Sequence, residues 1–359
     1  MTILAINLVR ELRRHPTFSD RQNTAVTLVL GGGLLSLVVW FANWAVINAV
    51  WTLPPESTSA LCRAMRGDGA CWAVINERLR FILFGAYPFD AQWRPAFACA
   101  LFVALYGIST RRAWWTRWLL VAWIALPAGA ILLLAGGVPG LEHVPSEQWG
   151  GLPLTFVLST VGFAAAFPPA IVLALGRRSQ LPVARVLSIG YIEVVRGVPL
   201  ITFLFMASVM FPLFVSPRIT IDKLLRAQIA FAVVVAAYVA EVLRGGLAAV
   251  SKGQYEAAVS LGLGFWRTTV LVVLPQALRI SIPALVNTFV GFFKDTSLVT
   301  VIGLFDLLGA AKAVIVDPKW VGFGVEVYLF AAAIYFVFCF AVSQYSQYLE
   351  RTLEVRSHR

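Results

Sequence analysis

Residues 256–275 read EAAVSLGLGFWRTTVLVVLP, a polar helical hairpin punctuated by glycine and closed by proline, between two stretches long and apolar enough to cross a bilayer. That contrast decides the fold. A helix needs about 20 mostly apolar residues to span the hydrocarbon core, and lipid offers backbone groups no hydrogen-bond partner, so such runs must be helical. Outward from the hairpin, hydropathy predicts eight spans, near residues 25–50, 95–110, 119–137, 152–175, 187–214, 225–243, 281–302 and 325–347. Of the 359 residues 59% are hydrophobic and only 13% charged, a balance foreign to soluble chains. The sequence is that of an all-α, polytopic membrane helix bundle.

A formal charge of +11 could suggest nucleic acid, but the basic residues flank spans and form no stripe interleaved with aromatics. The positive-inside rule accounts for them. Arg10, Arg13, Arg14 and Arg21 precede the first span, and Arg111, Arg112 and Arg117 follow the second. Arg177, Arg178 and Arg185 follow the fourth, and Arg244, Lys252, Arg267 and Arg279 flank the hairpin. Alternate loops thus agree on one orientation, with both termini and the hairpin cytosolic. The loop at 52–94 carries five arginines on the opposite side, a misfit that its length tolerates. The first span lacks a small-residue cleavage site and reads as a retained anchor. Cys62 and Cys71 share that outer loop, where an oxidising compartment would permit a disulfide; two free thiols are the alternative.

The chain divides near residue 150. Residues 1–150 hold three spans, the long outer loop and a cluster of Trp114, Trp115, Trp118 and Trp123, which reads as interfacial anchoring or, alternatively, as an aromatic box. Residues 151–359 hold five spans, the prolines Pro168, Pro169, Pro199 and Pro212 that can kink helices, and the echo Glu193-Val-Val-Arg196-Gly197 and Glu241-Val-Leu-Arg244-Gly245.

Within the hairpin, which occupies about residues 251–275, Ser251-Lys-Gly-Gln254 has capping-box spacing and predicts a helix from about 252. Glu256 lies near its positive end, Ala257 and Ala258 permit close approach, and Gly262 and Gly264 can adopt positive φ to turn the chain. A second helix from about 265 carries Trp266 until Pro275 disturbs it. Glu256-Ala257-Ala258, Gly262 and Leu274-Pro275, in register over twenty residues, resemble the cytosolic loop signature of binding-protein-dependent import permeases of the ABC transporter class, with Val272 in place of the usual isoleucine. The similarity runs through residues 152–350, including Arg196-Gly197-x-Pro199, Gly253-Gln254, Asn287 and Lys294-Asp295-Thr296-Ser297-Leu298, and is greatest to the polar amino acid branch. The three-span leader further resembles the M-type subunit of the general L-amino acid permease of Gram-negative bacteria.

The resemblance implies a five-helix importer core with a three-helix N-terminal extension, multi-pass in the bacterial inner membrane. It implies L-amino acid uptake driven by two separate ABC ATPase subunits that receive this loop in a groove. A second homologous permease subunit and a periplasmic amino acid binding protein would complete the assembly. ATP and Mg would then sit on the partner subunits, with no cofactor or metal in this chain. In keeping with that, no G-x-x-x-x-G-K-[ST] phosphate loop occurs, and Gly291-Phe-Phe-Lys294 lacks its spacing.

Charges near spans are costly and face an interior or a partner. Glu193 with Arg196, and Glu241 with Arg244, are three apart on helices and read either as ion pairs at the water boundary or as a charged inner gate. Lys294, Asp295, Thr296 and Ser297, with Asn287 two turns back from Lys294, read either as lining for a solute path or as an internal pairing. An intramembrane enzyme is disfavoured because His15, His143 and His358 lie outside the spans and no Cys/His metal cluster occurs. An ion-gradient-driven secondary transporter or channel could use the same broken helices and charges, but would not need the hairpin.

Overall fold

The computed structural model describes residues 20–52, 60–64, 67–216 and 220–357; Arg10, Arg13, Arg14, His15 and His358 lie outside these. Two compact units are present, Met1–Glu77 and Arg78–Arg359. The first holds α1 (Arg21–Ala42), begun by an Asp20 carboxylate that accepts from the Arg21 amide, and no residue of α1 is buried within the chain. In the same unit Cys62 and Cys71 are joined as a disulfide, with Cα atoms 5.8 Å apart. The indole of Trp72 donates to the Ala45 carbonyl at 2.7 Å and ties that loop to the end of the helix.

The boundary between these two units falls within α2 (Ala73–Phe84). The reason is aromatic packing: α3 (Trp93–Thr110) places Phe102 5.6 Å from Phe156 of α5 (Gly151–Arg177), and the Tyr106 hydroxyl bonds Thr160. Between them in sequence, α4 (Arg117–Ala135) packs along α3. This pair is therefore built into the core.

Among the described residues six helical segments are long and apolar enough to cross a membrane: Arg21–Ile47, Arg117–Ala135, Gly151–Arg177, Lys223–Ala249, Phe265–Ile302 and Gly324–Arg351. A seventh arises if α6 (Pro182–Gly197) and α7 (Leu200–Phe214) count as one span, although they meet at 97°. The predicted eighth, α3, opens with Trp93-Arg94-Pro95, and buried Arg94 donates to the Glu142 carbonyl at 2.7 Å, which shortens its apolar run. The single span predicted over 187–214 is broken because Pro199 caps α7 and forces Val198 into extended backbone (φ −103°, ψ 132°), as the residue before a proline should be. Pro168 and Pro169, by contrast, sit inside an uninterrupted α5.

The core of this unit is the pair α5 and α8 (Lys223–Ala249), against which α10 (Leu274–Asp295) and α12 (Gly324–Ser357) pack. Small residues allow the approach. At Gly246 of α8 an added Cβ would lie 2.6 Å from the Ala277 carbonyl and nearer still to the Ser281 hydroxyl. Such small-residue contacts are how helices associate where no hydrophobic force draws them together. At the far end of α10 a 3-10 segment, Thr296–Ile302, leads into α11 (Leu307–Ile315). Asp306 caps α11 while fully buried: its carboxylate accepts from the Gly309 amide at 2.9 Å and the Tyr335 hydroxyl at 2.7 Å. Beside it the Leu307 amide donates to Thr155 of α5 at 3.1 Å. Burial raises the Asp306 carboxyl above its usual range, partly offset by these donors.

Candidate functional site

The hairpin lies at the end of the bundle where α5 and α8 finish. Its first helix, α9 (Lys252–Ser260), begins where the sequence predicts, but not by a capping box. The Gln254 amide donates to the Ser251 backbone carbonyl at 3.1 Å, while the Ser251 side chain makes no cap bond. Gln254 instead accepts from Gln276 of α10 at 3.0 Å, a contact 22 positions distant that clasps the hairpin to the next span.

A Schellman turn closes α9. The Leu263 amide donates to the Ala258 carbonyl at 3.1 Å and the Gly262 amide to that of Val259 at 2.9 Å. Gly262 takes φ +75°, the left-handed conformation this motif requires, whereas Gly264 stays at φ −70° and caps the next segment. Nothing lies within 4 Å of where a Gly262 Cβ would point, so backbone conformation and not space demands the glycine.

After Phe265–Arg267 the chain winds as a π-helix over Thr268–Val273 and enters α10 with Pro275 in its first turn. The proline therefore does not stop the helix. It sits where the π-helix hands over to α10, and the wide turns before it accommodate its ring.

The hairpin's surface is unusual for a polar loop. Ala258 is buried and anchors it, but Leu261, Phe265, Trp266 and Val259 are 81%, 72%, 69% and 66% exposed. Glu256 and Ala257 are exposed on the same helix. Contiguous apolar side chains of this size beside a carboxylate mark a surface built to be covered.

Next to the hairpin the predicted charged residues meet in an arrangement that differs from the expected pairs. Arg244 donates to Glu241 from Nε at 2.8 Å and from Nη2 at 2.5 Å, as the i, i+3 spacing suggests. Glu193, however, pairs with Arg177 of α5 at 3.0 Å and not with Arg196. The same guanidinium lies 3.2 Å from Glu241, so Arg177 bridges α5, α6 and α8. Arg196 stacks on Tyr238 with its charge 5.4 Å from the ring centre. Sequence reasoning placed Arg177 only among the basic flanking residues, since its partners lie 16 and 64 positions away.

Toward the other end of α10, Lys294 and Ser297 open onto a cavity of about 660 Å³ that Tyr335 and Cys339 also line. Asn287 is exposed on the same helix and Asp295 is half-buried. Thr296 turns the opposite way, fully buried, and donates to the Phe293 carbonyl at 2.9 Å beside Asp306. Among the described residues Lys294 and Asp295 form no ion pair within 4.0 Å. Asp306, the centre of the buried polar network, was not singled out from sequence, although Asp-Leu-Leu-Gly carries the N-cap signal.

Residues 166–355 match the family described as binding-protein-dependent transport system inner membrane component. The chain belongs to that family. Among relatives of this permease, the inner membrane amino-acid ABC transporter permease protein YhdY of Escherichia coli (strain K12) is 46% identical over 94% of this chain and 91% of its own length. The glutamate/glutamine/aspartate/asparagine transport system permease protein BztC of Rhodobacter capsulatus is 38% identical over 96% and 94%. A crystal structure of an amino acid ABC transporter with histidines superposes with a TM-score of 0.50 at 32% identity, covering 56% of this chain and 92% of that one. The family match at 166–355 begins inside α5 and runs through most of α12.

Proposed function

We propose that this inner-membrane, multi-pass permease imports L-amino acids in an assembly powered by ATP and fed by a soluble binding protein. The observation that carries the reading is the hairpin: Glu256, Ala257, Ala258 and Gly262 form a rigid knuckle, with an exposed apolar face, whose root at Leu274 and Pro275 continues into a spanning helix. A partner that grips this knuckle can move α10 directly, because the Gln254 to Gln276 clasp joins the two. The partner is an ABC ATPase bearing ATP and Mg, and this chain supplies no catalytic group. Relatives named for amino-acid transport support the substrate class.

A second, homologous permease subunit faces this one across the solute path, and both termini and the hairpin face the cytosol. The Arg177, Glu193, Glu241 and Arg244 cluster, with Arg196 beside it, acts as the inner gate that a zwitterion meets before release. Asn287, Lys294, Asp295 and Ser297 serve the path, Lys294 by pairing with a solute carboxylate, and Thr296 serves by holding the helix end. Co-purification with mass spectrometry should recover an ATPase, a second permease and a binding protein. A Glu256→Cys variant should cross-link to that ATPase from the cytosolic side. A hairpin labelled by an impermeant thiol reagent from outside the cell would overturn the reading, as would uptake that follows an ion gradient and ignores ATP.

A further inference from the structure

A second cavity, of about 420 Å³, opens between α3, α4, α5, α10 and α12, on the side of the core formed by the N-terminal extension helices. Phe163, Leu285, Phe289 and Phe338 give its wall a strongly apolar character. Its polar lining atoms are already spent within the protein. The Ser109 carbonyl accepts from the Tyr345 hydroxyl at 3.2 Å, and the Ser109 hydroxyl accepts from the Trp123 indole at 3.1 Å. Thr110 donates to the Gly107 carbonyl at 2.7 Å, and Tyr106 bonds Thr160. The wall offers a polar solute little beyond the spare lone pairs of these hydroxyls, whereas its apolar surface suits an acyl chain.

The turn that follows Thr110, at one end of the cleft, carries charge. The turn after α3 folds back so that the Trp115 indole donates to the Ser109 carbonyl at 2.9 Å, over the cleft's rim. On this turn Arg111 stacks on Trp114 and Arg117 on Trp118, each 5.7 Å from the ring centre. The 19 residues of α4 rise about 28 Å, close to the thickness of the hydrocarbon core, so its Arg117 end lies at the membrane boundary. Two arginines and a tryptophan cluster at headgroup depth, above a dry cleft reaching into the acyl region, form the two halves of one amphipathic ligand.

We propose that this cleft binds an anionic phospholipid, with one acyl chain between α3 and α12 and its phosphate on Arg111 and Arg117. The inference needs only that the bundle crosses a bilayer. It assigns α3 and α4 a role that a shared permease core without them would lack: holding a lipid against the moving helices α10 and α12.

The test uses the intact assembly in nanodiscs that contain a phosphatidylglycerol with a photoreactive group near one acyl terminus, or a phosphatidylcholine with the same chains and label. Peptides covering 103–110, 285–289 and 338–345 should be labelled by the phosphatidylglycerol roughly tenfold or more above the phosphatidylcholine, given two arginines at the surface. Gly107 lines the cleft and has open space at its Cβ position, so Gly107→Phe should fill the cleft and remove the labelling. Ala341→Phe, from the opposite wall, should do the same and guards against misfolding of the first variant. Arg111→Glu with Arg117→Glu should reduce phosphatidylglycerol labelling to the phosphatidylcholine level. Equal labelling by both lipids in the unaltered protein, labelling that survives both filled clefts, or no labelling there because another protein chain covers the site would each overturn the proposal.

Discussion

Replacing Gly262 isolates the mechanics of the hairpin. Its φ of +75° lies in the left-handed region, and the Schellman bonds at 2.9 and 3.1 Å depend on that conformation. Because no atom lies within 4 Å of the missing Cβ, Gly262→Val creates no clash, and its cost is the backbone term alone. For an L-residue held left-handed that is about 1–2 kcal/mol, with β-branched side chains at the upper end. The ratio of closed to open turn would then fall roughly 5- to 30-fold. Gly262→Asn enters the same region more readily and should lose much less. In proteoliposomes containing the assembly, the ratio of amino acid imported to ATP hydrolysed should fall for Val, by at most about that factor, and stay near the unaltered value for Asn. Membrane abundance should be constant, since the exposed turn contributes little to the core. Unchanged coupling in Gly262→Val would refute the reasoning, and so would an equal loss in both variants, which would point to occupied space and not to backbone conformation.

Substitutions at three further places probe the rest of the structure. Gly246→Val should lower thermal stability in detergent by about 1–3 kcal/mol through overpacking against Ala277 and Ser281, whereas Gly245→Val, next to it and facing open space, should not. Burial raises the Asp306 carboxyl, so the folded state holds this proton more tightly than the unfolded chain does. Its contribution to stability is complete below the unfolded value near 3.8 and is lost as pH rises to the folded one. Asp306→Asn should therefore flatten thermal stability against pH in that window, and Asp306→Ala should cost about 1–3 kcal/mol for each donor left unpaired. Arg177→Gln removes the bridge between Glu193 and Glu241; these partly exposed pairs contribute about 1 kcal/mol or less each, so uptake should change far more than melting temperature. Equal losses of uptake and stability there would mark the cluster as structural.

The membrane class, the spans now seen as α1, α4, α5, α8 and α12, the start of α9 at Lys252 and the turn at Gly262 were legible in the sequence because each depends on local forces. A run of apolar residues must be helical in lipid whatever surrounds it, and a glycine that turns a helix end answers to the backbone of its own few residues. The helix break at Pro199 had its cause in plain view, yet hydropathy alone passes over it, since a bent pair is as apolar as a straight one.

Tertiary structure decided the partners. The capping-box spacing aims Gln254 at its own helix end, and only the approach of α10 gives it Gln276 instead. Arg177 takes Glu193 and Glu241 because α5, α6 and α8 end together, and no spacing in the chain announces that meeting. Thr296 is adjacent to Lys294 and Ser297 in sequence, but each residue turns the chain by about 100–120° at this α to 3-10 junction, which sends the Thr296 hydroxyl into the core beside Asp306 while Lys294 and Ser297 face a cavity. Local backbone physics reaches a few residues along the chain. Hydrogen bonds and ion pairs act between groups that packing alone brings together.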